Sequence, residues 1–247
     1  MDCYKNFAHV YDELIHGDVD YKKWGNTILD ICRDHNVEFE SYLDLACGTG
    51  NLTEVIGKAF KQIWGVDLSE DMLWEADKKL RKTNIKAKLV KQDICNLQLN
   101  RKFDLITCCL DSTNYILEDK DLKKYFIGIR KHLKENGIFI FDVNSYYKLA
   151  EIIGNNLFNY DDGEVVYIWE NQFDNKIVDM YLTFFVKNGE DYKRFDEEHS
   201  ERAYRECEIE TLLSECGFVI INKLNNYKYE TIDNNTERIV YILKCSK

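Results

Sequence analysis

Proline is absent from this chain of 247 residues. We read the absence as compositional bias; it excludes motifs built on proline and carries no further structural conclusion. A disulfide scaffold is excluded on other grounds. The nine cysteines are odd in number and scattered, with no Cys-x-x-Cys pair and only Cys108 and Cys109 adjacent. That spacing argues against zinc and for reduced thiols in the core of a cytosolic protein. No apolar run approaches the roughly 18 residues that a membrane-spanning helix needs. The start, Met1-Asp2-Cys3-Tyr4-Lys5-Asn6, has no basic region followed by an apolar stretch, so no signal peptide is expected and the expected location is cytoplasmic. Positive charge is also short. A formal net charge of -11 argues against a grip on long nucleic acid and leaves room for a small or cationic partner.

What is present is concentrated in Leu43-Asp44-Leu45-Ala46-Cys47-Gly48-Thr49-Gly50-Asn51-Leu52-Thr53. An apolar strand runs into a glycine turn and a helical pattern follows at once. A second apolar run, Ile63-Trp64-Gly65-Val66, ends on Asp67. Strand, glycine loop, helix, strand and terminal carboxylate together read as the nucleoside-binding half of a doubly wound sheet. Glycines let backbone approach a ligand, a helix start offers free N–H groups, and a carboxylate can accept from both hydroxyls of a ribose. The spacing is Gly48-x-Gly50-x-x-Thr53, so the third glycine of a dinucleotide site is missing. The Gly-Lys-Ser/Thr of a phosphate loop is missing too. With neither phosphate signature intact, the loop suits a nucleoside carried on an uncharged linker.

These residues resemble the first motif of the class I S-adenosylmethionine-dependent methyltransferases, whose cofactor has such a linker. Gly65-Val66-Asp67-Leu68-Ser69 resembles their ribose strand, and Gln92-Asp93-Ile94 their adenine strand end. The resemblance covers roughly 1–150 and returns over 203–247. It implies that S-adenosyl-L-methionine is held by Asp44, Ala46, Gly48, Gly50, Asp67, Leu68, Met72, Asp93, Ile94, Cys109 and Leu110. Upstream, Phe7-Ala8-His9-Val10-Tyr11-Asp12 and Tyr21-x-x-Trp24 resemble the family's N-terminal helix, which brings Tyr11 and Trp24 to the methionine end. Simple packing of these aromatics is the rival reading, and for Asp93 the rival is a cap on the next turn. Cys109-Leu110-Asp111-Ser112-Thr113-Asn114-Tyr115 follows the fourth strand, at the mouth where such sheets bind ligands. The backbone at Cys109 and Leu110 would face the sulfonium and amino group, and Asp111 to Tyr115 the acceptor. The Asn/Asp-Pro-Pro-Tyr motif of base amino methylation is absent. Amino-sugar N-methyltransferases carry a His in a similar segment where Tyr115 stands here. Tyr115 and His199 are therefore the catalytic candidates, with the run around His199 (Glu198, Arg202, Tyr204) read first as a solvated charged face.

Strands are expected over 41–47, 63–67, 87–93, 103–109 and 138–143, with helices between them and a long amphipathic helix ended by Asn136-Gly137. From about Tyr160 to Tyr204 the pattern changes to alternation, with Val165, Tyr167 and Trp169 against Val166, Ile168 and Glu170. A last helix to Gly217 and the strands Phe218–Leu224 and Arg238–Leu243 complete the order. The expected fold is α/β: a Rossmann-like, seven-stranded doubly wound sheet, last strand antiparallel, with a small antiparallel β insertion. Residues 1–150 and 205–247 would form the cofactor domain, and 155–204 an inserted cap of two or three strands. An exposed strand there could pair two copies into a homodimer.

The activity implied is methyl transfer by in-line displacement to a small molecule, most simply an amine. The acceptor lone pair must sit about 3 Å from the methyl carbon, collinear with its bond to sulfur, and such positioning supplies roughly 7–11 kcal/mol. A general base adds only about 10²–10⁴-fold. The alternatives are a tRNA or protein methyltransferase, a non-catalytic adenosyl-binding protein, and an NAD-linked oxidoreductase.

Overall fold

The computed structural model describes residues 19–246. Helix α1 (Tyr21–Asp34) precedes the alternation β1 (Ser41–Leu45), α2 (Asn51–Gly57), β2 (Gln62–Asp67), α3 (Glu70–Lys82), β3 (Ala87–Lys91), β4 (Phe103–Cys108), α4 (Asp119–His132) and β5 (Leu133–Asn144). A short π-helix (Lys148–Ile153) leads to β6 (Leu157–Asp161), β7 (Val165–Asp174), β8 (Ile177–Asn188) and β9 (Asp191–Arg202). Helix α5 (Glu206–Glu215), β10 (Phe218–Asn225) and β11 (Arg238–Cys245) close the described chain. Tyr11 lies outside the described residues. No helix among them is long and apolar enough to cross a membrane.

Seven strands form one sheet in the order β10-β11-β5-β4-β1-β2-β3. Strands β1 to β5 pair in parallel, and β11 runs antiparallel to both β5 and β10. The near-continuous apolar runs explain why: successive side chains of a strand face opposite ways, and both faces here are covered. Leu43, Leu45, Phe139 and Phe141 enter one core cluster, while Tyr42, Ile138 and Ile140 enter the other, beneath α1. The order of strands reverses between β1 and β4. The carboxyl ends of those two strands therefore open the crevice in which this architecture binds ligands.

Two expectations need correction. The long helix does not run to Asn136-Gly137; α4 stops at His132 and β5 begins at Leu133. His132 locks that end, its Nε2 accepting the Leu99 N–H at 3.0 Å. Gly137 serves the sheet: a Cβ there would come within 3.0 Å of the Phe103 and Asp104 carbonyls, so glycine permits the close approach of β5 to β4. The insertion, too, has four strands in the order β6-β7-β8-β9 rather than two or three, the first of them, β6 at Leu157–Asp161, lying mostly before the alternating pattern read from about Tyr160. Asn175 and Lys176 both take positive φ, making the two-residue turn that suits the twist of the β7–β8 hairpin. Val178 and Met180 pack its inner face on Leu149 and Ile153 of the π-helix.

Candidate active site

The loop after β1 is built from left-handed backbone. Ala46, Gly48 and Gly50 have φ of 51°, 52° and 80°. A Cβ at Gly48 would meet nothing within 4 Å, whereas one at Gly50 would press on Ala76 of α3 at 3.2 Å. One glycine leaves room over the loop and the other lets α3 close on it. Asp67, at the end of β2, accepts the Gly48 N–H at 2.8 Å and the Ser69 N–H at 2.9 Å. Burial raises its carboxyl above the usual range, opposed by those N–H groups. Asp44, inside β1, accepts from the hydroxyls of Thr53 at 2.5 Å and Thr107 at 2.8 Å. Its burial outweighs these bonds, which lower the pKa, and pushes it up to about 6. The helix after the loop, α2, is only seven residues long.

At the far side of Asp67, Leu68 is 63% exposed although apolar, while Met72 is buried against the same hollow. Asp93 caps the turn after β3: its carboxylate accepts from Cys95 N–H at 2.8 Å and Asn96 Nδ2 at 2.7 Å. The capping geometry expected as its rival reading is thus present, and Asp93 and Ile94 line the hollow as well.

The loop after β4 is organised by a residue that the sequence reading passed over. Asp142, in β5 and fully buried, accepts the N–H groups of Leu110 (2.9 Å) and Asp111 (2.7 Å). It also accepts from the Tyr227 hydroxyl and the Arg238 guanidinium, and Arg238 reaches on to Asp111 at 2.6 Å. These bonds hold Leu110 and Asp111 at positive φ. The Leu110 N–H, expected to face the ligand, is therefore spent on Asp142, and the Cys109 carbonyl accepts the Ser112 hydroxyl at 2.9 Å. Trp24 stacks on Tyr227 with ring centroids 4.2 Å apart, which brings α1 to the same mouth. Asp111, Ser112 and Tyr115 line the hollow, but Thr113 and Asn114 do not face the acceptor side as expected. Asn114 turns inward to the Asn144 and Arg202 carbonyls, at 3.1 and 2.9 Å. A carboxylate within Phe-Ile-Phe-Asp-Val was the available signal for Asp142, because an acid in a doubly buried strand must be held by donors.

Trp24, Asp44, Ala46, Gly48, Asp67, Leu68, Met72, Asp93, Ile94, Cys109 and Leu110 border one cavity of about 940 Å³, which continues along the inner face of β7, β8 and β9, whereas Gly50 stands behind its lining. There Tyr167, Trp169, Met180, Leu182 and Phe184 line it, as do Tyr115 and Leu117. His199 is 8% exposed and meets Tyr115 edge to face, centroids 6.0 Å apart. The solvated charged face expected around His199 is thus corrected: along β9, Glu197, His199 and Glu201 alternate inward and are buried. Burial pushes the His199 imidazole below its ordinary pKa. Glu201 is 4% exposed, lines the cavity, and was also missed. It accepts from Asn144 Nδ2 at 3.0 Å, and burial together with the charge of Asp111 pushes it up to about 8.

Comparison with known proteins fits this geometry. Residues 43–137 match the family described as Methyltransferase domain. YqeM of Bacillus subtilis (strain 168), named as a presumed methyltransferase, is 33% identical over 249 residues, covering 99% of this chain and 98% of its own. A crystal structure of a S-adenosylmethionine-dependent methyltransferase from Clostridium acetobutylicum ATCC 824 is 57% identical, covers 99% of both chains and superposes with a TM-score of 0.94. The chain belongs to the S-adenosylmethionine-dependent methyltransferases. A more partial relative of this methyltransferase is the dTDP-3-amino-3,4,6-trideoxy-alpha-D-glucopyranose N,N-dimethyltransferase of Streptomyces venezuelae. It is 34% identical over 134 residues, 54% of this chain and 55% of that enzyme. The NAD-linked oxidoreductase alternative falls with the family assignment.

Proposed function

We propose that this methyltransferase acts on a small-molecule amine. The observation that carries the reading is the insertion end of the cavity: it is bordered by aromatic and aliphatic side chains of β7 and β8 and has the buried residues His199 and Glu201 of β9 in its lining. A concave, mostly apolar cavity of about 940 Å³ with a few polar groups suits a small molecule beside the cofactor. The partial relative whose name specifies an amino sugar supports an amine acceptor.

In this reading the residues fit the cofactor. Open space above Gly48 and the uncovered side chain of Leu68 leave a hollow beside the Asp67 carboxylate. Asp67 would take the ribose hydroxyls, Leu68, Met72, Asp93 and Ile94 the adenine, and Ala46, Gly48 and Gly50 the backbone approach. Asp44, Trp24, Cys109 and Leu110 would surround the methionine end. S-adenosylmethionine supplies a methyl group on positively charged sulfur, so its leaving thioether is neutral. The protein's own part is then alignment and desolvation. The loop fixed by Asp142 sets the floor, and the inserted sheet, the acceptor-selecting cap, excludes water. An amine arriving protonated must first lose a proton; His199, held neutral by burial, and Glu201 are the groups placed to take it. Tyr115 borders the same space.

Calorimetric titration with S-adenosylmethionine, S-adenosylhomocysteine and NAD tests the cofactor half. Both adenosyl ligands bind at micromolar level, NAD does not, and Asp67→Ala weakens adenosyl binding at least about tenfold. Unchanged binding in the variant removes Asp67 from the site. A screen with methyl-labelled cofactor against amines, phenols and carboxylic acids tests the acceptor half, and label found only outside the amines overturns it.

A further inference from the structure

Resting on that reading, we propose that the acceptor is an unphosphorylated amine: Glu201 holds its ammonium, Tyr115 and the neighbouring inner face of β8 hold its apolar body, and nucleotide-linked amines are excluded. The partial relative from Streptomyces venezuelae carries dTDP in its substrate's name, and such a substrate brings a diphosphate. A diphosphate inside a site is met by Arg, Lys or clustered backbone N–H groups. Here the insertion end of the cavity is lined by Glu201, and by no arginine or lysine among the described residues. Lys91 is the cation that lines the cavity; it sits at the adenine end and pairs with Glu70 at 3.1 Å.

The cations nearest the chamber are committed elsewhere. Arg202 pairs with Asp119 at 2.7 Å and donates to the Leu117 carbonyl at 2.9 Å. Arg238 is shared between Asp142 and Asp111. Lys148 donates to Asn144 Oδ1 at 3.0 Å. Residues 1–18 contribute in sequence one lysine, Lys5, against Asp2, Asp12, Glu13 and Asp18. A phosphate entering here would meet Glu201 in the lining, with Lys148 and Arg238 near that carboxylate but engaged by Asn144 and by Asp142 and Asp111.

Glu201 is held ready for a cation. Lys148 donating to Asn144 Oδ1 fixes the orientation of that amide, so its Nδ2 faces Glu201 and gives the carboxylate one neutral donor. Lys148 and Arg238 also act on this carboxylate by their charge, but they donate to Asn144 and to Asp142 and Asp111 rather than to it, and burial outweighs them. The bare anion is accordingly disfavoured in the empty chamber, and burial with the neighbouring Asp111 charge pushes the group up to about 8. An ammonium placed against it supplies a close countercharge, and Tyr115, edge to face with His199 two residues along β9, and Met180, opposite His199 on β8, offer the π and apolar surfaces for the rest of the amine.

The test is calorimetry on the full chain loaded with S-adenosylhomocysteine, using 2-phenylethylamine and tryptamine as cationic probes, 2-phenylethanol as the neutral isostere, and dTDP as the phosphate probe. At least one amine binds about tenfold or more tighter than the alcohol, loses about tenfold or more in Glu201→Gln, and dTDP gives no saturable binding. Saturable dTDP binding, failure of both amines to bind, or amine binding undiminished in Glu201→Gln overturns the proposal. The variant's S-adenosylhomocysteine affinity stays at the wild-type value if it folds; if it does not, the wild-type arms still decide. Failure of the amine-transfer reading looks different. Amines would then bind through Glu201 without accepting methyl, whereas methylation of a dTDP-amino sugar would keep that reading and end this one.

Discussion

Asp44 sits in mid-strand, and its hydrogen-bond partners are the hydroxyls of Thr53 and Thr107. Two neutral donors do not replace the hydration that a carboxylate loses on burial. Its pKa moves from an ordinary 3.8 to about 6 in the folded protein. Between those values the folded chain keeps a proton that the unfolded chain has released. Stability contributed by this group is therefore present below pH 3.8 and is lost as pH rises through about 6. The full loss is about 3 kcal/mol. Asp44→Asn removes the titration. Denaturant unfolding from pH 4 to 7 should show the variant gaining on wild type by about 2–3 kcal/mol across that window. Parallel curves would show that the carboxylate costs nothing. The compensation for keeping Asp44 is expected in the cofactor's ammonium, so the same variant should bind S-adenosylmethionine at least about tenfold more weakly.

At the scale of elements, what was legible followed from how many faces a strand buries. Strands β1 and β4 and the second half of β5, buried on both sides, read as apolar runs, and Asp67 ending β2 and Asp93 just past β3 could be placed from the order of strands and the family resemblance. The end of α4 could not, because Asn136-Gly137 suits a helix stop and a tight strand approach equally well. Strand β9 was harder. Its inner face alternates Glu197, His199 and Glu201, and polar residues at period two look the same whether they face water or a polar chamber. Half of the candidate site, the cofactor side, was therefore visible in sequence, while Asp142, Asn114 and Glu201 needed the fold. The division between halves is testable. Replacing residues 157–202 with a short Gly-Ser linker uncovers Leu149 and Ile153, which pack under the insertion, so the melting temperature falls. S-adenosylhomocysteine affinity should stay within about tenfold of wild type while methyl transfer disappears. A protein still folded by circular dichroism that has lost both would show that the inserted sheet also builds the cofactor site.

Over the whole molecule, charge sets how ligands arrive. The chain carries a formal net charge of -11, and its cavity is lined by Asp44, Asp67, Asp93, Asp111 and Glu201 against Lys91. A low-dielectric cleft lined by one sign of charge focuses its field outward and can speed capture of opposite charge by roughly 10–10³-fold. S-adenosylmethionine bears a sulfonium in addition to its zwitterionic amino acid and is a net cation; S-adenosylhomocysteine has lost that charge and is neutral overall. The two differ little in shape, so a difference in their association rates isolates the field. Trp24 and Trp169 line the cavity, which gives a fluorescence signal for stopped-flow mixing. Raising ionic strength shortens the Debye length from about 30 Å at 0.01 M to about 3 Å at 1 M. Across that range the association rate of S-adenosylmethionine should fall several-fold while that of S-adenosylhomocysteine stays nearly flat, with dissociation rates changing less for both. Equal salt slopes would mean that the acidic surface does not reach the mouth of the site. Unequal slopes would mean that the molecule draws in its charged methyl donor faster than the neutral product, and that the same field favours a cationic acceptor.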